Sequence, residues 1–254
     1  MDSKIALTLF SLRNFCKTEA DFANTLDKLY DIGYRQVQVS GVPLDFEIIR
    51  KQLDEHQIKC IGTHEGFDMI QDTAKLVDKL QILGCDFAAL GCMPPKYQHG
   101  EDFAEFVDIM NSSCAKLADK GIRLAYHNHH FELGKMANRK TLLENLYDAT
   151  AENNLLAEID VHWITRGGGS PATWIRKYPN RIPVIHFKDF VHYNCNPTFC
   201  EIGEGNLDWP EILKACDETN VEIYVVEQDE PFGDRDIFES VKISFDNMKA
   251  MGIK

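Results

Sequence analysis

Tyr126-His127-Asn128-His129-His130-Phe131-Glu132 places three histidines and a carboxylate directly behind the apolar run Ile122 to Ala125. A strand that ends in imidazoles and a carboxylate presents metal ligands or proton carriers at a fixed height. Three later apolar runs end in the same kinds of side chain, at Asp160, His186 and Glu227. With a donor from the 127–132 segment, four ligands would converge. Mixed carboxylate and imidazole donors suit a borderline or hard divalent ion such as Mn, Co, Mg or Zn. The lack of thiolates among them argues against a closed structural zinc site. An ion with free positions can hold two neighbouring oxygens of a polyol and polarise a carbonyl. Singly, each residue has a plainer use. Asp160 can be a helix N-cap or turn former, His186 a satisfied core histidine, and Glu227 the ion-pair partner of Lys188. Together those uses require four unrelated coincidences, so a shared metal site stands ahead.

His127 and His129 are two residues apart and project the same way from an extended segment. One can serve as a ligand and the other as an acid, base or substrate-binding group. His130 then points elsewhere and is structural. Lys188 shares the side of the strand taken by His186 and can hold a developing oxyanion, or it pairs with Glu227 or Asp229. His64 and Glu65 follow the third apolar run; His64 is a rim candidate for substrate binding, with a solvated loop as its alternative. Phe190 through Gly205 reads as a long loop of the kind that acts as a lid. Gly167-Gly168-Gly169 lacks the spacing of a dinucleotide-binding turn and reads as a mobile turn.

These residues need a frame. Short β-branched or apolar runs recur at Ile5–Phe10, Gln36–Val39, Lys59–Thr63, Phe87–Leu90, Ile122–His127, Leu155–Asp160, Pro183–Phe187 and Glu222–Glu227. Amphipathic stretches lie between them: Thr18–Ile32, Leu44–His56, Met69–Leu83, Asp102–Lys120 and Lys140–Ala149, with shorter helices at Ala172–Lys177 and Trp209–Glu218 and a last one at Ile237–Met251. Their apolar residues recur at three and four, as in Phe22, Leu26, Leu29 and Tyr30. Gly33, Gly84 and Gly121 suit left-handed helix ends. Alternation of this kind means parallel strands with right-handed crossovers. Eight such units in about 250 residues predict one domain over residues 1–254, an α/β fold closed as a (β/α)8 TIM barrel. In that fold the chemistry sits at the carboxyl ends of the strands, where the polar residues above are found.

The chain of 254 residues is 44% hydrophobic, enough for a large core. Its 27 Lys+Arg against 40 Asp+Glu give a formal charge of −13. That charge repels nucleic acid and anionic membranes, and neither is expected as a partner. No apolar segment follows a basic start and no run reaches a membrane span. The eight cysteines form no CxxC pair and read as reduced thiols of a cytoplasmic protein. Only Cys195 and Cys200, in one loop, raise a redox question.

The chain resembles the xylose isomerase-like barrels, the sugar phosphate isomerases/epimerases, over nearly its whole length. The carriers are Leu9-Phe10-Ser11-Leu12-Arg13, the Tyr126–Glu132 stretch, Glu158-Ile159-Asp160-Val161-His162-Trp163, His186-Phe187-Lys188-Asp189, Glu201-Ile202-Gly203-Glu204-Gly205 and Val226-Glu227-Gln228-Asp229. They match the branch with a His-Asn-His strand end. The resemblance implies one divalent ion, manganese first, held at strands five to eight by Asp160, His186 and Glu227. Many relatives hold the fifth-strand ligand as a glutamate inside the strand, where this chain has Tyr126 or His127. Glu132 is taken as that ligand, with His127 as the alternative. His127, His129 and Lys188 are the catalytic candidates by placement. His162 stands where this branch carries a tyrosine or another residue and adds a candidate proton carrier two residues after Asp160. Arg13, Trp163 and Glu204, on or beside the stretches that carry the resemblance, join His64 and Glu65 as substrate-binding candidates. Gln38 stands where many relatives carry a glutamate.

The expected activity is isomerisation or epimerisation of a sugar, keto sugar or polyol. It proceeds by proton transfer beside a carbonyl and an enediolate. Dehydration of a keto sugar or inosose shares that intermediate and is the nearest alternative. A non-catalytic sugar-binding protein and an abasic-site endonuclease are the rivals of other classes, the last opposed by the charge. A small sugar or polyol is the expected partner, unphosphorylated because no Lys/Arg cluster forms a phosphate cradle. A homo-oligomer is compatible with the sequence.

Overall fold

A computed structural model describes residues 3–100 and 102–254. Eight parallel strands form one sheet in the order β6-β5-β4-β3-β2-β1-β10-β7. They are β1 (Ile5–Thr8), β2 (Gln36–Val39), β3 (Lys59–Glu65), β4 (Phe87–Leu90), β5 (Arg123–His127), β6 (Leu156–Glu158), β7 (Val184–Phe187) and β10 (Ile223–Val226). The edge strands β6 and β7 approach each other through a parallel bridge between Asp160 and His186, with the His186 amide donating to the Ile159 carbonyl at 2.8 Å. The sheet is therefore an almost closed barrel, an α/β (β/α)8 TIM barrel as expected.

The helices pack outside it. They are α1 (Glu19–Ile32), α2 (Phe46–Glu55), α3 (Phe67–Gln71), α4 (Thr73–Leu83), α5 (Phe103–Ala118), α6 (Leu142–Ala149), α7 (Val161–Arg166), α8 (Pro171–Lys177), α9 (Trp209–Glu218) and α10 (Ile237–Ala250). Local chemistry sets their ends. Thr18 accepts from the Asp21 amide to start α1. Thr141 and Glu144 form a reciprocal capping box at α6. Gly84 ends α4 at φ 69°, and a Cβ there would run into the Arg50 guanidinium.

Three expectations change. The helix over Met69–Leu83 is broken, because Asp72 leaves helical geometry and caps α4 through the Lys75 amide. Val161–Arg166, given no element in the sequence pattern, is helical. The long loop from Phe190 is mostly an antiparallel hairpin, β8 (Asp189–Tyr193) with β9 (Asn196–Cys200). Its turn residues Asn194 and Cys195 have φ of 48° and 63°, the pair of positive values that a tight two-residue hairpin turn requires. Cys195 is exposed at that turn and Cys200 is buried at the far end of β9, both as free thiols.

Two apolar layers hold the fold. The larger lies between strands and helices and includes Leu7, Leu26, Leu80, Phe106, Tyr126, Phe187 and Val226. The smaller fills the barrel interior with Ala6, Ile61, Phe87, Ala89, Ala125, Leu156, Val184 and Val225. Inward side chains alternate along a strand. Above that apolar plug the next inward positions are accordingly His127, Glu158, His186 and Glu227, and the positions after those are His129, Asp160, Lys188 and Asp229.

Candidate metal centre

The polar layer is almost dry. His127 and Lys188 are 2% exposed, Glu227 7%, and Glu158, Asp160 and His186 0%. Two sets of ligand atoms each gather within 4.8 Å: His127, Asp160, His186 and Glu227, and His64, His127, Glu158 and His186. The first set contains three of the four expected ligands together with the fifth-strand alternative, His127.

Glu132 is not in either set. It is buried, but its carboxylate faces away, accepting from the Tyr126 hydroxyl at 2.6 Å and from the His129 amide at 2.9 Å. Burial pushes its carboxyl up to about 7 against the pull of those donors. Glu132 thus shapes the 127–132 turn, and His127 presents the fifth-strand nitrogen instead.

Asp160 has two uses. One carboxylate oxygen accepts from the Trp163 amide at 2.9 Å and caps α7. The other has no hydrogen-bond partner and lies 3.9 Å from both His127 Nε2 and Lys188 Nζ. Asn128, buried at the end of β5, fixes this height by accepting from the Asp160 amide at 3.1 Å. Burial raises the Asp160 carboxyl to about 7, opposed by the Lys188 charge.

His186 bridges the layer. Its Nδ1 lies 2.6 Å from Glu227 Oε2, and its Nε2 is 2.9 Å from Gln38 Oε1 and 3.5 Å from Glu158 Oε2. Burial favours the neutral ring, but the Glu158 and Glu227 carboxylates outweigh it and raise the imidazole to about 10. His127 goes the other way: burial holds it well below its ordinary value despite Glu158. Its Nδ1 is buried without a hydrogen-bond partner, 3.3 Å from Glu158 Oε2. A buried neutral imidazole and a buried carboxylate oxygen, both without a hydrogen bond, fit a divalent cation.

Lys188 sits among carboxylates, 2.6 Å from Asp229, 2.9 Å from Glu227 and 3.9 Å from Asp160. Burial disfavours its charge, yet those carboxylates raise its pKa further. Its ammonium also lies over the rings of Trp163 at 5.1 Å and Phe199 at 5.4 Å. The Phe199 ring belongs to the hairpin, so β8–β9 supplies one wall of the mouth. Asp189 anchors the hairpin base by accepting from the Gly203 and Gly205 amides and from Trp209 Nε1.

The remaining candidates divide. His129 is half-buried beside His127, with burial holding it down to about 4. His162 is buried between Phe190 and Phe199 behind the mouth. His64 lies in the centre rather than at the rim, stacked on His186 and in contact with Glu158. Glu65 is turned out of the barrel to Lys79 at 2.7 Å. Arg13 donates to the Phe10 carbonyl at 2.8 Å. Glu204 pairs with Arg235 at 2.7 Å. The structure gives neither Arg13 nor Glu204 a contact with the central cluster. The run Gly167 to Gly169 lies in the turn between α7 and α8. A cavity of about 490 Å3 lies at the opposite end of the barrel beside Arg123, Asn180 and Glu222 and holds none of these donors.

Glu158 is a member of the central cluster that sequence reasoning passed over as a site candidate. It stands in register with His127 across β5 and β6. His64 and His186 hold its carboxyl well below the usual range although burial opposes charge there. The spacing signal was present, since Glu158 and Asp160 are two apart and share a side.

Comparison with known proteins gives a consistent picture. Residues 26–244 match the family model described as xylose isomerase-like TIM barrel. An inosose dehydratase of Clostridium perfringens is 25% identical over 141 residues, covering 50% of this chain and 46% of that protein. The chain therefore aligns with less than half the length of that relative. A sugar phosphate isomerase/epimerase from Parabacteroides distasonis superposes with a TM-score of 0.84 at 22% identity, covering 100% of this chain and 96% of that one. A D-allulose 3-epimerase from Methylomonas sp., solved with D-allulose, superposes with a TM-score of 0.74 at 13% identity over 97% and 96% of the two chains. At these identities the two superpositions speak for the fold.

Proposed function

The chain belongs to the xylose isomerase-like TIM barrel family, and from that premise we propose that it is a divalent-metal-dependent sugar or keto-sugar isomerase or epimerase. The observation that carries this reading is the convergence of His127, Asp160, His186 and Glu227 from the ends of four strands within 4.8 Å. Together they offer two imidazoles and two carboxylates, a donor set for manganese, with magnesium, cobalt and zinc as alternatives. A bound ion would supply Lewis-acid polarisation of a carbonyl and its neighbouring oxygen.

The chain's own residues do the rest. His129 sits beside the cluster as a neutral imidazole, suited to take a proton from the carbon next to the carbonyl and to return it. Lys188, held charged by Asp229 and Glu227, can donate to an oxygen that gains negative charge, such as an enediolate oxygen. Trp163 and Phe199 offer apolar faces at the mouth for a sugar ring. Lys188 is the one Lys or Arg in the cluster and its charge is taken up by Asp229 and Glu227, so no cradle for a phosphate is offered, which favours an uncharged sugar over a sugar phosphate.

A second reading, loss of water from a keto sugar or inosose, is favoured by the alignment with inosose dehydratases over half of the chain. It uses the same proton abstraction, with a leaving hydroxyl protonated instead of the carbon. One experiment separates the readings. The manganese-loaded protein is incubated with a panel of ketoses, aldoses and inososes in deuterated water and followed by NMR. Deuterium at the α-carbon of a substrate or isomeric product that has lost no water supports the isomerase or epimerase. Loss of water supports the dehydratase. Neither exchange nor loss across the panel leaves a sugar-binding protein.

A further inference from the structure

Gln38 lies where the two donor sets meet. Both sets use His186, but each needs a different ring nitrogen. Nδ1 faces Glu227, and Nε2 faces Glu158 and Gln38. A nitrogen that carries hydrogen cannot give its lone pair to a cation, so whichever atom accepts from Nε2 decides which set is complete.

The sense of the Gln38 amide is fixed by its other neighbour. Gln38 Nε2 donates to Glu158 Oε1 at 2.6 Å, and Gln38 is wholly buried. Glu158 also receives His64 and lies 3.3 Å from His127 Nδ1, so its carboxylate is an acceptor only. The amide nitrogen must therefore face Glu158, and the amide oxygen faces His186 Nε2 at 2.9 Å. A carbonyl oxygen can only accept, so Nε2 keeps its hydrogen, and Nδ1, whose hydrogen faces the Glu227 carboxylate, is the nitrogen that gives up its proton to a cation. A metal-bound histidine generally gives its second N–H to such an acceptor, which orients the ring.

We propose that Gln38 is a positioning residue that selects between the two overlapping sets. It commits a divalent cation to His186 Nδ1 with Asp160, Glu227 and His127, and denies the His64–Glu158 set its fourth donor. This inference rests on the metal-dependent reading above.

The test uses Cd2+ as probe on the wild-type chain and on Gln38→Met, which has similar length and no oxygen or nitrogen. The 113Cd resonance, the Cd2+ affinity and the long-range 1H–15N correlations of the imidazoles are measured, with His186 identified by its loss in His186→Gln. The wild type should show cadmium on His186 Nδ1 and hydrogen on Nε2. The Met variant should lose the Nε2 hydrogen, shift or split the 113Cd resonance and bind about 10- to 100-fold more weakly. Coordination through Nε2 in the wild type overturns the inference, and that measurement decides it even if the variant fails to fold. A Met variant with the wild-type resonance and affinity within about twofold also overturns it while leaving the metal reading intact. A wild type that binds no cadmium removes both.

Discussion

Asp160 accepts from the Trp163 amide at 2.9 Å with one carboxylate oxygen and turns the other, which has no hydrogen bond, toward His127 and Lys188. One side chain thus starts α7 and serves the polar cluster. Asn and Asp cap helices about equally well, and Ala does not. Asp160→Asn is expected to keep the metal-free protein near wild-type stability while lowering Mn2+ affinity. Asp160→Ala should lose the affinity and a further ~1 kcal/mol of stability. Urea denaturation in EDTA and calorimetric Mn2+ titration measure the two. Equal stability of the Asn and Ala variants would deny the capping role.

Glu227 touches both His186 and Lys188. Glu227→Gln should lower bound metal and turnover together. Metal analysis of the purified variant checks this, and unchanged occupancy would remove Glu227 from the ligand set.

Glu132 tests whether the 127–132 segment contributes its carboxylate or its imidazole. Its folded carboxyl, raised by burial to about 7, lies above its ordinary 4.5. A raised folded value gives a contribution that is full below about 4.5 and is lost as pH rises through 7. Glu132→Gln cannot ionise and can still accept from the His129 amide. Relative to wild type, the variant should gain on the order of 1–3 kcal/mol between pH 4.5 and 8. Its metal content should not change. Urea denaturation across that range and metal analysis report both, and loss of metal would restore Glu132 as a ligand.

His129 stands beside the cluster rather than in it. His129→Asn should keep metal binding and slow turnover by about 100-fold or more. Burial holds its imidazole down to about 4, so the wild type keeps its base down to that pH. The acid limb that His129 gives to the kcat/KM profile should vanish in the variant. Loss of metal on the same substitution would make His129 a ligand instead.

Much of this was legible from strand ends. The runs closing at His127, His186 and Glu227 announced inward polar positions, because a barrel strand must bury its apolar residues and can release polar ones only at its carboxyl end. Asp160 was legible twice, as cap and as candidate ligand, and the structure caps α7 with one of its oxygens and turns the other toward the cluster. Glu158 was harder, since a carboxylate inside an apolar run reads as part of the strand until its partners on β2, β3, β5 and β7 are known. Gln38 has the same difficulty: nothing near it in sequence reveals Glu158 or His186 across the barrel. Glu132 misled because sequence distance carries no direction, and a short 3-10 turn over Phe131–Leu133 rotates it toward Tyr126. The hairpin was missed because it is inserted between β7 and α9, where alternation predicts only a connecting loop.

The Asp160–His186 bridge has a mechanical meaning as well. The other neighbouring barrel strands are joined by ladders of two or more paired residues, whereas β6 and β7 share one bridge. The barrel is least stitched where its polar side chains are densest. Each wall of that seam carries a residue of the cluster, so the width of the gap and the spacing of the donors are one variable. A substitution that lengthens Asp160 or bulks out His186 would strain the rim of the cylinder itself, and thermal opening would begin at the same place.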